Sequence, residues 1–319
     1  MRSTRQPVLR PLVVVLLSIA LLLSVPGIAS LAQSPEAAIA NVAPYALGLI
    51  PSPPGDYPRL ELKSQLTSLP SAVDLSAGLP PVGRQGGQSS CVGFALSYYR
   101  SYQEGVENGR VPREPDEIFS PAFIYNQRLT SDCSRDVGMS FVDGLRIAVE
   151  NGMATLATMP YDPSDSCAQP SEEAIAEAAR YRSVAYLNLF AGQGTANLDL
   201  LKQHLASGDP FLLSVPIYSE FYHVTASNAV IGVPEDGSRY DGRHAILIVG
   251  YDDATETFGF VNSWGPEWGE SGSAYLTYDF VSEQAREGWI LEGSDTTPTL
   301  FVSLPLVLRN TTLHPVASP

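Results

Sequence analysis

The chain has 319 residues, 44% of them hydrophobic and 17% charged. That is too apolar and too weakly charged for a disordered protein, and long enough for a core that needs no disulfide scaffold. Its 19 Lys and Arg against 34 Asp and Glu give a formal net charge of −15, which argues against nucleic-acid binding because phosphate contacts need basic patches. Three cysteines allow at most one bridge plus one free thiol.

Residues 1–32 read as an export signal. Arg2, Arg5 and Arg10 form a basic start, Leu12 to Val25 an apolar run of 14 residues, and Gly27, Ala29, Ser30 and Ala32 a stretch of small residues suited to cleavage. A run that short fits a signal peptide better than a spanning helix of about 20 residues. The competing reading is an uncleaved anchor, and membrane association is expected only in that case. No later segment is apolar enough to span a bilayer, so the expected location is secreted or extracytoplasmic, where disulfides persist.

Residues 33–71 read as a linker or short pro-segment, punctuated by Pro51, Pro53, Pro54, Gly55 and Pro58. Helices are predicted over 90–106, with Ser89 or Ser90 as cap and Asn108-Gly109 as stop, and from Ser120-Pro121 to about Leu129. Another opens at a Ser140/Asp143 capping box and ends at Asn151-Gly152. Two more begin at Ser171 and at Asn197. The second half changes to strands, at Phe211–Tyr218, His244–Tyr251, Thr257–Trp264 and Ser273–Tyr278. Helices first and strands later predict an α+β fold of two lobes. The tail from Gly293 is Pro/Thr-rich, with one apolar run at Leu300 to Leu308.

Three segments carry chemistry. The first is Gln85-Gly86-Gly87-Gln88-Ser89-Ser90-Cys91-Val92-Gly93-Phe94-Ala95. It puts a lone thiol in the first turn of a predicted helix, whose positive end favours thiolate over thiol. Gln85, on the glycine-rich approach, can offer its amide to a developing oxyanion. The plain alternative is an inert buried cysteine. The second segment opens on Gly242-Arg243-His244-Ala245. Of the four histidines, His204, His223 and His314 read as structural or surface residues, whereas His244 opens an apolar strand where a polar ring needs a partner. The third segment, Phe260-Val261-Asn262-Ser263-Trp264-Gly265, can supply it. If the two strands form a hairpin with its loop centred on residue 253, His244 and Asn262 are cross-strand partners on one face. A loop centred on residue 254 keeps them on one face, a diagonal step apart, and a loop with an even number of residues puts them on opposite faces. An asparagine oxygen on an imidazole N–H fixes the ring's tautomer, and Trp264 can cover that bond. A turn asparagine and a core tryptophan are the alternative.

Together the segments resemble the papain-like cysteine peptidases. The likeness covers about residues 72–291. It rests on Gln85 with Cys91 six residues on, His244-Ala245 in a strand, and Asn262-Ser263-Trp264-Gly265 followed by Trp268-Gly269-Glu270. Leu69-Pro70-Ser71-Ala72-Val73-Asp74-Leu75 and Phe119-Ser120-Pro121 look like bacterial members. The resemblance implies the two-lobed papain-like fold, with a helical N-lobe and an antiparallel, barrel-like C-lobe holding the active site between them. That domain spans 72–292, followed by a tail at 293–319. The resemblance also implies Cys91 as nucleophile, His244 as base, Asn262 as its orienter and Gln85 as oxyanion-hole side chain. Gly138 matches the backbone that pairs with bound peptide. Met139 and Ser140 match the main specificity pocket, with Val215, and Trp264 joins the substrate-binding residues. Cys133 and Cys167 match a bridged pair.

Gln88 stands where the family signature has its first cysteine, Val92 replaces an aromatic, and Arg84 stands where an acid is common. The expected protein is a secreted cysteine endopeptidase acting on peptide or protein substrates. It is expected to be a monomer, with no metal, no organic cofactor and no nucleic-acid partner. A papain-fold protein that binds peptides without turnover, or an acyl transferase using the same Cys–His pair, are the alternatives.

Overall fold

The computed structural model describes residues 45–60, 68–128 and 133–294. The export signal and the tail beyond Ser294 lie outside the described residues.

Helix α1, Cys91–Glu107, is the central element. Nearly all its side chains are buried, including Arg100, whose guanidinium bonds Glu104 at 2.8 Å and lies 5.3 Å from the centre of the Phe119 ring. A buried cation needs such partners. Helix α2, Pro121–Tyr125, starts on a Ser120 cap, and α3, Phe141–Glu150, on a Ser140 cap that accepts from Asp143 N. Helices α4 (Glu172–Ala178) and α5 (Leu198–Ala206) are capped by Ser171 and Asn197. Each cap side chain accepts a backbone N–H that the helix leaves without a partner. Helix α2 stops near its first turns, well short of Leu129.

The strands are β1 (Ala72–Asp74), β2 (Ser183–Ala191), β3 (Phe211–Tyr218), β4 (Val230–Ile231), β5 (Tyr240–Asp252), β6 (Thr257–Val261), β7 (Ser273–Thr277) and β8 (Glu287–Ser294). Helix α6, Tyr278–Gln284, joins β7 to β8. The sheet runs β2-β8-β3-β5-β6-β7-β4, with β1 also paired to β5. All its pairs are antiparallel except β4 with β7. Among the described residues the sheet is open from β2 to β4 and does not close on itself, so the C-lobe is an open sheet where a barrel-like one was expected. The interior strand β3 reads Phe-Leu-Leu-Ser-Val-Pro-Ile and is wholly buried until Tyr218, as befits a strand covered on both faces.

Helix α1 packs on β5 and α2. That contact brings the first residue of α1, Cys91, to the strand that carries His244. Two strands and a helix tip separated by more than a hundred residues thereby meet in one place.

Candidate active site

Ser90 occupies the N-cap of α1, yet its side chain makes no capping hydrogen bond. The first N–H groups of the helix keep their partial positive charge beside Cys91, which is fully buried. The Cys91 thiol is pushed up to about 11 by burial, while hydrogen bonds from the backbone of Ala245, Gly48 and Val92 pull the other way. His244 is also fully buried. Its Nε2 lies 2.7 Å from Asn262 Oδ1. Its Nδ1 is buried and has no hydrogen-bond partner among the described residues, leaving that nitrogen for proton exchange with a sulfur held against the neighbouring Ala245 backbone. Burial lowers His244 to about 4, with the Asn262 bond opposing the shift. With thiol above imidazole in this order, both groups rest neutral in the filled cleft.

Gln85 is buried with both ends of its amide assigned. Oε1 accepts from Ser263 Oγ at 2.6 Å, so Nε2 must be the donor, and it reaches Gln88 O at 2.8 Å and Ala46 O at 3.2 Å. Its backbone N–H donates to Ser263 O at 2.8 Å. The Trp264 ring lies 4.9 Å from that of His244 and shields the His244–Asn262 bond.

The papain family cysteine protease model matches residues 127–285. That span contains His244 and Asn262 but begins after Gln85 and Cys91. A peptidase C1-like protein of Acanthamoeba polyphaga mimivirus is 26% identical over 215 residues, 65% of this chain and 68% of that protein. Mouse cathepsin J is 27% identical over 214 residues, 62% of this chain and 57% of its own length. Among solved structures, xylellain, a cysteine protease from Xylella fastidiosa, superposes with a TM-score of 0.69 at 26% identity, covering 78% of this chain and 97% of the other. Fold and family agree. The chain is a papain-like cysteine peptidase. Trypanosoma congolense proCathepsin B shares the fold at 17% identity and a TM-score of 0.62, over 78% of this chain and 87% of that one.

The cleft of this peptidase is filled by its own residues 45–60. Tyr45 stacks on Trp264 with ring centres 4.6 Å apart and planes within 7°. Ala46 O accepts from Gln85 Nε2 and from Trp264 Nε1 at 3.4 Å. Gly48 passes over Cys91 and Ser89. Met139 then brackets Leu49, since Met139 N–H donates to Gly48 O at 2.8 Å and Met139 O accepts from Ile50 N at 3.2 Å. Further on, Ser52 N–H donates to Glu287 at 3.4 Å, Tyr57 packs edge-on to Trp289 at 5.1 Å, and Leu60 N–H donates to Asn188 O at 3.1 Å.

The sequence-predicted residues therefore fall as follows. Cys91, His244, Asn262, Gln85 and Trp264 surround one point. The backbone that pairs with the cleft segment is that of Met139; Gly138, one residue earlier, gives its N–H to Tyr125 Oη at 3.2 Å. Ser140 is buried and its hydroxyl is committed to Asp143, as N-cap of α3. Val215 is buried directly cross-strand from His244. Cys133 and Cys167 are bonded, 34 positions apart in the sequence. Arg128 steadies that bridge by donating to the carbonyls of Cys133 and Ser166.

Sequence reasoning gave no role to Ser263 or Tyr161, and it read residues 33–71 as a linker or short pro-segment without placing 45–52 against the site. Ser263 lies inside the Asn262-Ser263-Trp264-Gly265 motif. The prolines at 51, 53, 54 and 58 marked residues 33–71 as non-helical, since proline resists helix and favours extended backbone.

Proposed function

We propose that this peptidase is a secreted endopeptidase that cleaves peptide bonds through Cys91, His244, Asn262 and Gln85, and that residues 45–60 are a short pro-segment that keeps it latent. The observation that carries the reading is the Nε2–Oδ1 bond of 2.7 Å between His244 and Asn262, beside a buried thiol on an uncapped helix end. Asn262 fixes the ring so that Nδ1 takes the thiol proton. The thiolate attacks the scissile carbonyl and forms a tetrahedral oxyanion, held by Gln85 Nε2 and the Cys91 N–H; each such donor is worth roughly 3–4 kcal/mol in related hydrolases. The imidazolium then protonates the leaving amine. Water, deprotonated by the neutral ring, hydrolyses the thioester and frees the thiol.

Direction explains latency. His244, which protonates the leaving amine, sits beside Trp264, so the leaving side of a substrate lies toward Trp264 and its acyl side toward Met139. A substrate runs from Met139 to Trp264, whereas residues 45–49 run from Trp264 to Met139. The pairing of Leu49 with Met139 is accordingly parallel, where a productive peptide pairs antiparallel. A reversed peptide offers no scissile carbonyl to the sulfur in the attacking geometry. The segment enters and leaves the cleft as continuous chain, which supports cleavage within chains rather than at their ends. Secretion is supported by the export signal and by the Cys133–Cys167 bridge.

The test is Cys91→Ala in the full chain. It should fold, keep its melting temperature, and, once residues 45–60 have been nicked, fail to digest an unfolded protein that the unchanged chain, nicked in the same way, degrades. A thiol-directed peptide inhibitor should label Cys91 and nothing else. Digestion by the Cys91→Ala chain ends the proposal.

A further inference from the structure

The two oxyanion donors of the proposed mechanism belong to different parts of the chain. Gln85 sits on an approach loop, and the Cys91 N–H on the first turn of α1. Between them run Gly86 and Gly87, and Gly86 has φ +63°, outside the range that side-chain-bearing residues favour. The loop's own ties run through Gln88, whose N–H donates to Gln85 O at 3.4 Å and whose carbonyl accepts from Ser90 N–H at 2.8 Å; a tie from Gln85 straight to the helix cap comes from outside the loop.

Tyr161 stands at that joint. Its hydroxyl donates to Gln85 O at 2.8 Å. A phenol has one proton, so the 2.7 Å contact with Ser90 Oγ is a bond that the serine donates. Ser90 is the N-cap residue that does not cap, and this is where its hydroxyl goes. One phenolic oxygen thus grips the backbone of Gln85 on one side and the residue before Cys91 on the other. The ring itself is seated edge-on against Phe94 of α1, with centroids 4.8 Å apart at 78°. The neighbouring residues cover the same loop: Asp162 O accepts from Gln88 Nε2 at 3.4 Å, and a Cβ on Gly86 would lie 3.0 Å from Pro163. Burial raises the phenol well above its ordinary value, so the proton is present throughout the working range. Both of its hydrogen bonds go to the approach loop and the helix cap.

We propose that Tyr161 is a positioning residue of this peptidase, whose hydroxyl fixes the separation of Gln85 Nε2 and the Cys91 N–H by tying Gln85 O to Ser90 Oγ. The inference rests on the reading of those two groups as the oxyanion donors. It gives Tyr161 an effect on turnover and none on substrate docking, because the oxyanion exists only after attack.

The test compares four full-length chains, each opened by limited nicking of residues 45–60 with a second protease, on an internally quenched peptide: unchanged, Tyr161→Phe, Gln85→Ala, and the pair combined. Tyr161→Phe keeps the ring against Phe94 and removes only the hydroxyl. It should lower kcat by about tenfold, the scale of a small misplacement of catalytic groups, with KM changed less than twofold. Gln85→Ala should lower kcat by about a hundredfold or more. The combined chain should be no slower than Gln85→Ala alone, since a hydroxyl that acts through Gln85 has nothing left to position. Ser90→Ala, which cuts the other bond, should repeat the kcat-only loss. Multiplying losses in the combined chain, or a Tyr161→Phe chain with unchanged kcat, overturn the proposal. If the unchanged chain turns over no peptide even after residues 45–60 have been nicked, it is the peptidase reading that has failed, and the positioning role falls with it.

Discussion

Gly48 crosses Ser89 so closely that a Cβ on it would lie 1.9 Å from the Ser89 carbonyl oxygen and 2.4 Å from its carbonyl carbon. Both are backbone atoms, two residues before the proposed nucleophile, and neither can rotate away. Gly48 O meanwhile accepts from Met139 N–H on the other wall, so the gap between the walls is one glycine wide.

Gly48→Ala should therefore loosen the segment while leaving the rest of the domain alone. Overpacking of this kind costs about 1–3 kcal/mol, which raises the open population roughly 5- to 150-fold. The initial rate of peptide hydrolysis by the unprocessed chain should rise within that range. A Gly48→Ala chain as silent as the unchanged one would put the grip of the segment elsewhere, at Tyr45 or Leu49.

Acid should open the cleft. His244 is held neutral by burial, at about 4 against an ordinary 6.5. A base whose folded pKa is depressed contributes stability that is fully present above 6.5 and is lost as the pH falls toward 4. Opening lets water solvate the imidazolium, so protonation favours the open form by up to about 3 kcal/mol. The Cys91 shift acts at the other end: an acid raised from 9.0 to about 11 stabilises the closed form below 9.0 and loses that contribution above it. The closed form should then be most populated between about pH 6.5 and 9. Hydrogen exchange at the Ile50 N–H in the Cys91→Ala chain, corrected for intrinsic rates, should accelerate from pH 6.5 to 4. A flat opening constant across that range would show that His244 remains dry when the segment leaves.

The His244–Asn262 contact shows where sequence reading reaches its limit. Alternation of apolar and polar residues located β5 and β6, and the chemistry of an imidazole in an apolar strand singled out His244. The loop, however, has four residues, Asp253–Glu256, between the strand ends. That even number puts His244 and Asn262 on opposite faces of a regular hairpin. A register shift between Ile248 and Gly250 changes the parity back. Beyond the bulge Leu247 faces Val261, so His244 and Asn262 lie on one face, a diagonal step apart. A bulge adds one residue without a distinctive side chain, and its one sequence signal is Gly250, an isolated glycine inside the strand at the shift. Ser90 is a parallel case. Its residue type and position spelled a helix cap, and only the arrival of Tyr161, 71 positions later, diverts its hydroxyl. Caps, turns and strand faces are local and were legible. Which distant group arrives to claim a polar atom is set by tertiary packing.

Ser263 offers a second handle on Gln85, at the side chain rather than the backbone. Its hydroxyl donates to Gln85 Oε1 at 2.6 Å. That bond decides which end of the amide faces the cleft, because an amide rotated by half a turn would set its oxygen, an acceptor, where the oxyanion forms. The Gln85 Nε2 bond to Gln88 O, at 2.8 Å, resists the same rotation. Ser263→Ala removes one of the two restraints and leaves a buried carbonyl oxygen short of a donor, at about 1–3 kcal/mol. Rotation does not recover that loss, since it would set the oxygen against Gln88 O. The orienting bond, once lost, leaves the amide mobile, and kcat should fall about tenfold. Ser263→Thr keeps the hydroxyl and should restore most of the rate if the added methyl fits beside Gln85. Equal kcat for the serine and alanine chains would mean that Gln88 alone holds the amide, and the role assigned to Ser263 would be lost.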